Sequence, residues 1–198
     1  GFNGGSALSA GGDAAMAILA THISAAAGAM TWMFYEWIKF GKPTALGSVT
    51  GMVAGLGTIT PASGFVGPAG ALVIGIIAGY VCFNAVIIIK QKFKIDDSLD
   101  VFPVHGVGGI CGTILVGFFA SKELGIFSGQ GGWSHEAIVI SDQLQIQFTA
   151  VVATAAYTAI ATFIILKLVD LVTGLRVDSQ TETQGLDLES HGEKGYDL

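Results

Sequence analysis

The amino-acid sequence predicts an all-α integral membrane protein with five full transmembrane helices, the end of a sixth and a cytoplasmic tail. Of its 198 residues 52% are hydrophobic and only 12% are charged, whereas charged residues make up about 25% of an ordinary soluble domain. The mean hydropathy is +0.66. The 29 glycines follow no Gly-X-Y period and lie among Ala, Ile and Val, which excludes collagen and points to closely packed helices.

Five apolar stretches are candidate membrane spans. A helix needs about 20 mainly apolar residues to cross the hydrocarbon core, since every backbone polar group there must be satisfied within the segment. The second stretch is shorter than the others but carries no charge. Because the chain opens inside an apolar element without a targeting peptide, we expect it to be a fragment. The predicted spans are residues 14–38, 45–61, 65–89, 101–120 and 144–166, and residues 1–8 form the end of an earlier span.

The positions of the basic residues predict the orientation of these spans, since cytoplasmic loops carry an excess of Lys and Arg. Basic residues follow the first, third and fifth spans: Lys39, Lys42, Lys90, Lys92, Lys94, Lys167 and Arg176. The longest connection on the opposite side, residues 122–142, holds one Lys and three acidic residues. We therefore expect the spans to alternate in direction and the C-terminus to be cytoplasmic.

The formal net charge of −6 is concentrated at the C-terminal end of the chain. Residues 1–177, the predicted membrane domain, have a net charge of −1, and residues 178–198, the predicted tail, have −5. An acidic protein with a nearly neutral membrane domain lacks the basic surface that binding to nucleic acid requires. The composition of the tail is also compatible with a disordered solubilising segment.

His105 is the strongest candidate for a functional residue, because an ionisable group inside a membrane span is costly and usually functional. Pro103 and Gly106 flank it and can open a narrow path beside its ring. A neutral imidazole donates from one nitrogen and accepts at the other, which suits a proton relay or a small polar solute. A core histidine bonded to a carbonyl is the alternative, and it is the expected role of His22, whose flanks hold no Gly or Pro.

Two further groups of residues are candidates for a site. Asp97 and Asp100 precede the helix of His105, where they can cap its free N–H groups or, alternatively, attract a cation. Phe2 and Ser6 are four residues apart and share one face of any helix. A ring and a hydroxyl so placed can hold a small cation by cation–π attraction and a hydrogen bond.

Glycines recur every four residues within three of the predicted spans, which allows helix backbones to approach closely. These repeats are Gly47, Gly51 and Gly55; Gly75 and Gly79; and Gly108 and Gly112. Cys82 and Cys111 lie in apolar runs, where we expect small buried side chains rather than a disulfide or metal ligands. The sequence has no nucleophile elbow and no Walker A loop, and we expect neither an enzyme nor a cofactor.

Six blocks of the sequence resemble the ammonium transporter (Amt/Rh) family in its bacterial and archaeal type. They occur in order along essentially the whole chain: GFNGGSAL, TWMFYEW, GKPTALGSVTG, ITPASGFVGP, DDSLDVFPVHGVGG and GLRV. The resemblance implies a multi-pass protein of the cell membrane that transports ammonium or ammonia as a homotrimer with one pore per subunit. It also implies that this chain is the second inverted repeat and final long helix of an eleven-helix channel, without the first repeat.

The same resemblance implies roles for individual residues. Phe2 is similar to the outer gate of the pore, Ser6 to the vestibule serine that binds ammonium, and His105 to the second of two pore histidines. Asp97 is similar to a structurally important aspartate at the start of the pore helix. The tail, residues 178–198, is similar to a region that contacts neighbouring subunits and a PII-type nitrogen regulatory protein. A proton-coupled carrier of another small solute, or an ammonium sensor that signals through its tail, is the alternative function.

Overall fold

The computed structural model describes residues 1–127 and 138–195, and in these ranges every regular element is helical. Short helices α1 (Phe2–Gly5), α7 (Ser179–Gln184) and α8 (Leu186–His191) lie near the two ends of the chain. The longer helices are α2 (Gly12–Phe40), α3 (Ala45–Ile59), α4 (Pro68–Ile87), α5 (Gly108–Phe119) and α6 (Ile140–Thr173). Wide helical turns at Ile88–Lys92 and Phe102–Val107 extend α4 and precede α5, and a 3₁₀ segment covers Lys122–Phe127. The prediction of an all-α fold is confirmed for the described residues.

Within residues 1–127 and 138–195, four helical segments are long and apolar enough to cross a membrane, so the chain is a membrane protein. They are Gly12–Phe40, Pro68–Lys92, Phe102–Phe119 and Ile140–Thr173. Helix α3 has 15 residues and, at about 1.5 Å per residue, does not cover the hydrocarbon core alone. It is short because prolines bound it: Pro43 precedes its cap, and Pro61 follows its last turn.

The chain divides into two compact units, residues 1–151 and residues 152–198. In the first unit α2 packs against both α3 and α4, and α3 packs against α5. Ser24, which is fully buried in α2, donates a hydrogen bond to the carbonyl of Gly55 at 2.9 Å. One buried apolar cluster consists of Ala20, Ile59, Ala62, Val66, Ala71, Ile74, Val116 and Ala120, and a second of Trp32, Ala54, Cys82, Phe83 and Val104.

The repeated glycines lie where helices touch, as their spacing predicts. A Cβ atom at Gly51 would collide with Trp32 and with the Gly28 carbonyl of α2, and one at Gly79 would lie 2.7 Å from the Thr31 side chain. Gly112 of α5 packs on the backbone of Thr58 in α3. The prediction that Cys82 is a small buried side chain is also confirmed, whereas Cys111 is half-buried.

A buried carboxylate anchors the start of α3. Glu36, near the end of α2, is only 9% exposed. Its carboxylate accepts from the backbone N–H of Thr44 at 2.7 Å and from the Thr44 hydroxyl at 3.1 Å. The hydroxyl oxygen of Thr44 in turn accepts from the N–H of Gly47 at 2.9 Å and so caps α3. These hydrogen bonds explain how an acidic side chain can be buried inside a predicted span.

The second unit contains the rest of α6, from residue 152, together with α7 and α8. Asp178 caps α7 by accepting from the backbone N–H groups of Gln180 and Thr181. These bonds lower the pKa of the Asp178 carboxyl. The Arg176 guanidinium donates to both carboxylate oxygens of Glu182, at 3.2 and 2.7 Å, and lowers the pKa of that carboxyl as well.

Candidate functional site

A cavity of about 230 Å³ lies at the end of the first unit where α1 meets the start of α2 and the end of α3. Its lining contains an aromatic ring, hydroxyl groups and a carboxylate. The lining residues are Phe2, Asn3, Ser6, Ala7, Asp13, Ala17, Thr60, Pro61, Ser63, Gly64 and Phe65. The structure therefore brings the two predicted residues Phe2 and Ser6 to one cavity.

The single turn of α1 is held in place by its own polar and small residues. The Asn3 amide donates to the hydroxyl of Thr21 at 3.0 Å and, more weakly, to that of Thr60 at 3.5 Å. Gly4 is buried against Ile18 of α2, where a Cβ atom would lie within 2.6 Å of the isoleucine side chain. Phe2, which precedes these two residues and lines the cavity, is 88% exposed.

His105 lies in the wide helical turn Phe102–Val107, which continues directly into α5. Wide turns of this kind are rare and frequently occur at functional sites. The His105 side chain is exposed and makes no hydrogen bond within residues 1–127 and 138–195. It does not line the cavity of Phe2 and Ser6.

His22 differs from its expected role as a packed, hydrogen-bonded core residue. Among the described residues its side chain is exposed and makes no hydrogen bond. The reason is its position on α2, where the buried stripe runs through Ala20, Ser24 and Gly28 at four-residue intervals. His22 falls between these positions. His135, in the predicted outer loop, lies outside the described residues.

Asp97 and Asp100 are located at the start of the wide turn, at the opposite end of the spans from the cavity. The Asp97 carboxylate accepts from the N–H groups of Val101 at 2.9 Å and Phe102 at 2.8 Å. These two bonds hold the pKa of the Asp97 carboxyl below its usual range, and the nearby charge of Lys90 acts in the same direction. Asp100 has a left-handed φ of 54° and pairs with Lys90 at 2.9 Å.

Sequence reasoning did not identify four polar residues of the cavity: Asn3, Asp13, Thr60 and Ser63. The sequence does contain a pattern that could have located three of them, Asp13, Thr60 and Ser63. Asp13 directly precedes the first predicted span and the ThrProAlaSer block ends the second, so antiparallel spans place them at the same end.

The sequence profile described as the Ammonium Transporter Family matches residues 1–196. The chain belongs to the ammonium transporter family. It is 45% identical to the ammonium transporter of Bacillus subtilis and 46% identical to the ammonium transporter Amt1 of Archaeoglobus fulgidus, in each case over 99% of this chain and 48% of the relative. The chain thus spans about half the length of these relatives. The similarity to bacterial and archaeal transporters supports the bacterial and archaeal type.

Solved structures of the family have the same fold. A structure described as a sensor Amt protein matches 95% of this chain and 44% of its own, with a TM-score of 0.82 and 30% identity. Mep2 of Saccharomyces cerevisiae matches 90% of this chain and 40% of its own, with a TM-score of 0.75 and 36% identity. The curated relatives are named as transporters rather than as enzymes.

Proposed function

We propose that the intact protein transports ammonium or ammonia across the cell membrane, and that residues 1–177 form part of its pore. The observation that carries the proposal is the shared cavity of Phe2 and Ser6. An aromatic face attracts a small cation, and a hydroxyl oxygen accepts one of its N–H bonds. Family membership over residues 1–196 makes ammonium the cation to test.

Ammonium would be recruited at this cavity and lose its proton before it enters the apolar spans. An intact ion crosses such a region only at high cost, whereas the neutral molecule crosses readily. Sodium and potassium have no proton to lose, so the same step provides selectivity. His105, which lies in a wide turn of an apolar span, relays the proton or lines the path of the neutral molecule.

Asp97 and Asp100 support the helix that carries His105. The Asp97 carboxylate accepts hydrogen bonds from two backbone N–H groups at the start of this helix. Asp100 forms an ion pair with Lys90 of the preceding span. The assembly that we propose is a homotrimer, as the family resemblance implies. On the same ground, the acidic tail at residues 178–198 is the docking segment for a PII-type regulatory protein at the cytoplasmic face.

Replacement of His105 tests the proposed relay. In the intact protein reconstituted into liposomes, we expect His105→Ala to reduce ammonium-driven current by about tenfold or more, because a positioned proton carrier contributes at least that much. His22→Ala is the matched control, since His22 is also an exposed histidine of a predicted span, and it should retain the current. Full electrogenic uptake by His105→Ala would refute the relay, and a parent protein without ammonium uptake would refute the transport function.

A further inference from the structure

A buried thiol contacts the wide turn that carries His105. Cys82, which is fully buried in α4, donates a weak S–H···O hydrogen bond to the carbonyl oxygen of Val104, with the sulfur 3.9 Å from that oxygen. The Val104 carbonyl and the His105 N–H belong to one planar peptide group. The thiol therefore helps to fix the plane from which the His105 side chain departs.

A second buried polar group lies beside this thiol. The Thr58 hydroxyl, in the last turn of α3, is fully buried and has no oxygen or nitrogen partner in the part of the chain that the structure describes. In the same helix Thr50 donates instead to the carbonyl four residues earlier, as helical threonines often do. The polar group that faces the Thr58 hydroxyl is the Cys82 thiol. A buried hydroxyl without a backbone partner costs free energy, so its position beside the thiol requires a reason.

The backbone of the wide turn comes close to both groups. Gly108 is the first residue of α5 after that turn, and a Cβ atom there would lie 3.0 Å from the Thr58 hydroxyl oxygen and 3.2 Å from the Cys82 sulfur. The Val104 carbonyl oxygen approaches α3 as well, at 3.8 Å from the position of a Cβ atom at Gly57. The hydroxyl, the thiol and the carbonyl thus meet where α3, α4 and the wide turn pack together.

We propose that Cys82 and Thr58 are positioning residues for His105: the thiol orients the peptide group between Val104 and His105, and the Thr58 hydroxyl orients the thiol. The inference rests on the proposed role of His105 and adds to it the residues that set the direction of its side chain. A wide helical turn is rare, and side-chain support from α3 and α4 keeps this one in a single conformation. Neither residue lines the cavity described above, so their loss should slow passage at His105 rather than weaken binding at that cavity.

Transport by the intact protein separates rate from binding. We expect Cys82→Ala and Thr58→Val to lower the maximal ammonium-driven current about three- to tenfold and to change KM by less than about twofold, because a misplaced group slows the step that it serves. Thr58→Val keeps the shape of the side chain, and Thr58→Ser, which restores a hydroxyl, should recover most of the current. As matched controls, Thr50→Val removes a hydroxyl that bonds within its own helix, and Cys111→Ala removes a half-buried thiol. Both controls should retain the current of the parent.

Histidine NMR reports on His105 without any need for transport. In the intact protein with isotope-labelled histidine, the ring signals of His105 are those that His105→Ala removes, and the signals of His22 in α2 are an internal reference. We expect Cys82→Ala and Thr58→Val to shift the ring nitrogen signals of His105 and to leave those of His22 unchanged. Thr58→Ser should leave both sets of signals in place.

The outcomes that would overturn the inference are distinct from those that bear on transport. Unchanged His105 signals in both Cys82→Ala and Thr58→Val would overturn it. Equal shifts of the His105 and His22 signals would also overturn it, because they would show a general change of structure. A shift in Cys82→Ala alone would overturn the role of Thr58. A parent protein whose variants show the expected His105 shifts, but which takes up no ammonium, would refute only the transport function.

Discussion

Asp97 shows how a single partly exposed carboxylate organises the helix that follows it. It accepts from two successive backbone N–H groups, Val101 and Phe102, which have no partner within the turn that they begin. Among the described residues, the neighbouring Asp96 accepts only from the hydroxyl of Ser98, at 3.4 Å. Two adjacent aspartates thus have different effects on the helix, although both occur in the same acidic stretch of the sequence.

The stabilising effect of Asp97 should depend on pH. Its folded-state pKa lies below the ordinary value of about 3.9, so the folded protein binds this proton less readily than the unfolded chain. The contribution is therefore fully present above the ordinary pKa and is lost as the pH falls through the lowered one. We expect the thermal midpoint of Asp97→Asn to lie below that of the parent at pH 6 and the gap to narrow by pH 3.

Asp96→Asn is the matched control for this measurement, since it removes the same charge one residue away without removing a bond to the helix backbone. At pH 6 its thermal midpoint should lie closer to that of the parent than the midpoint of Asp97→Asn does. If the gap between Asp97→Asn and the parent stayed constant from pH 6 to pH 3, the carboxylate would not be the source of the stabilisation.

At the scale of helices, close backbone approach holds α2 and α3 together. A Cβ atom at Gly51 would lie within 2.7 Å of the Gly28 carbonyl oxygen and collide with Trp32. This carbonyl is part of a hydrogen-bonded helix, so displacing it would distort the helix backbone. In a membrane, where lipid provides no hydrophobic drive for helix association, such contacts are the main source of packing energy.

Gly51→Ala should destabilise the protein by about 1–3 kcal/mol, because the added methyl overpacks this contact. Gly57→Ala is the control in the same helix, since a Cβ atom there would meet only the Val104 carbonyl at an ordinary 3.8 Å. It should be neutral or slightly stabilising, as alanine favours helix more than glycine does. Denaturation of the purified protein in detergent measures both, and equal midpoints for the two variants would contradict the assigned packing.

The sequence predicts some of these structural elements and not others, for physical reasons. Hydropathy located the long helices and four-residue spacing located the glycine contacts, because both are local patterns. The wide turn around His105 and the short α3 depend on tertiary packing and on prolines at the helix ends. The sequence predicted only part of the cavity. Phe2 and Ser6 are near each other in sequence, whereas Asp13 and Ser63 reach the same cavity only because the helices pack together.

For the whole molecule, the positions of the charges determine the expected orientation in the membrane. Basic residues concentrate after the first, third and fifth predicted spans, and positive charge is retained on the cytoplasmic side during insertion. The cavity end of the first unit then faces outward, which is where ammonium would be recruited. The same rule places the acidic tail at residues 178–198 inside the cell, where a regulatory partner could reach it.

Site-specific labelling tests that orientation. Ser9 is exposed in the segment before α2, and Ser179 is exposed at the start of α7. In intact cells that produce the full protein, a membrane-impermeant thiol reagent should label Ser9→Cys, and it should label Ser179→Cys only after the cells are permeabilised. Labelling of the parent protein measures the background from Cys82 and Cys111, which are buried and half-buried. The reverse pattern would place the cavity at the cytoplasmic face and would contradict its proposed role in the uptake of external ammonium.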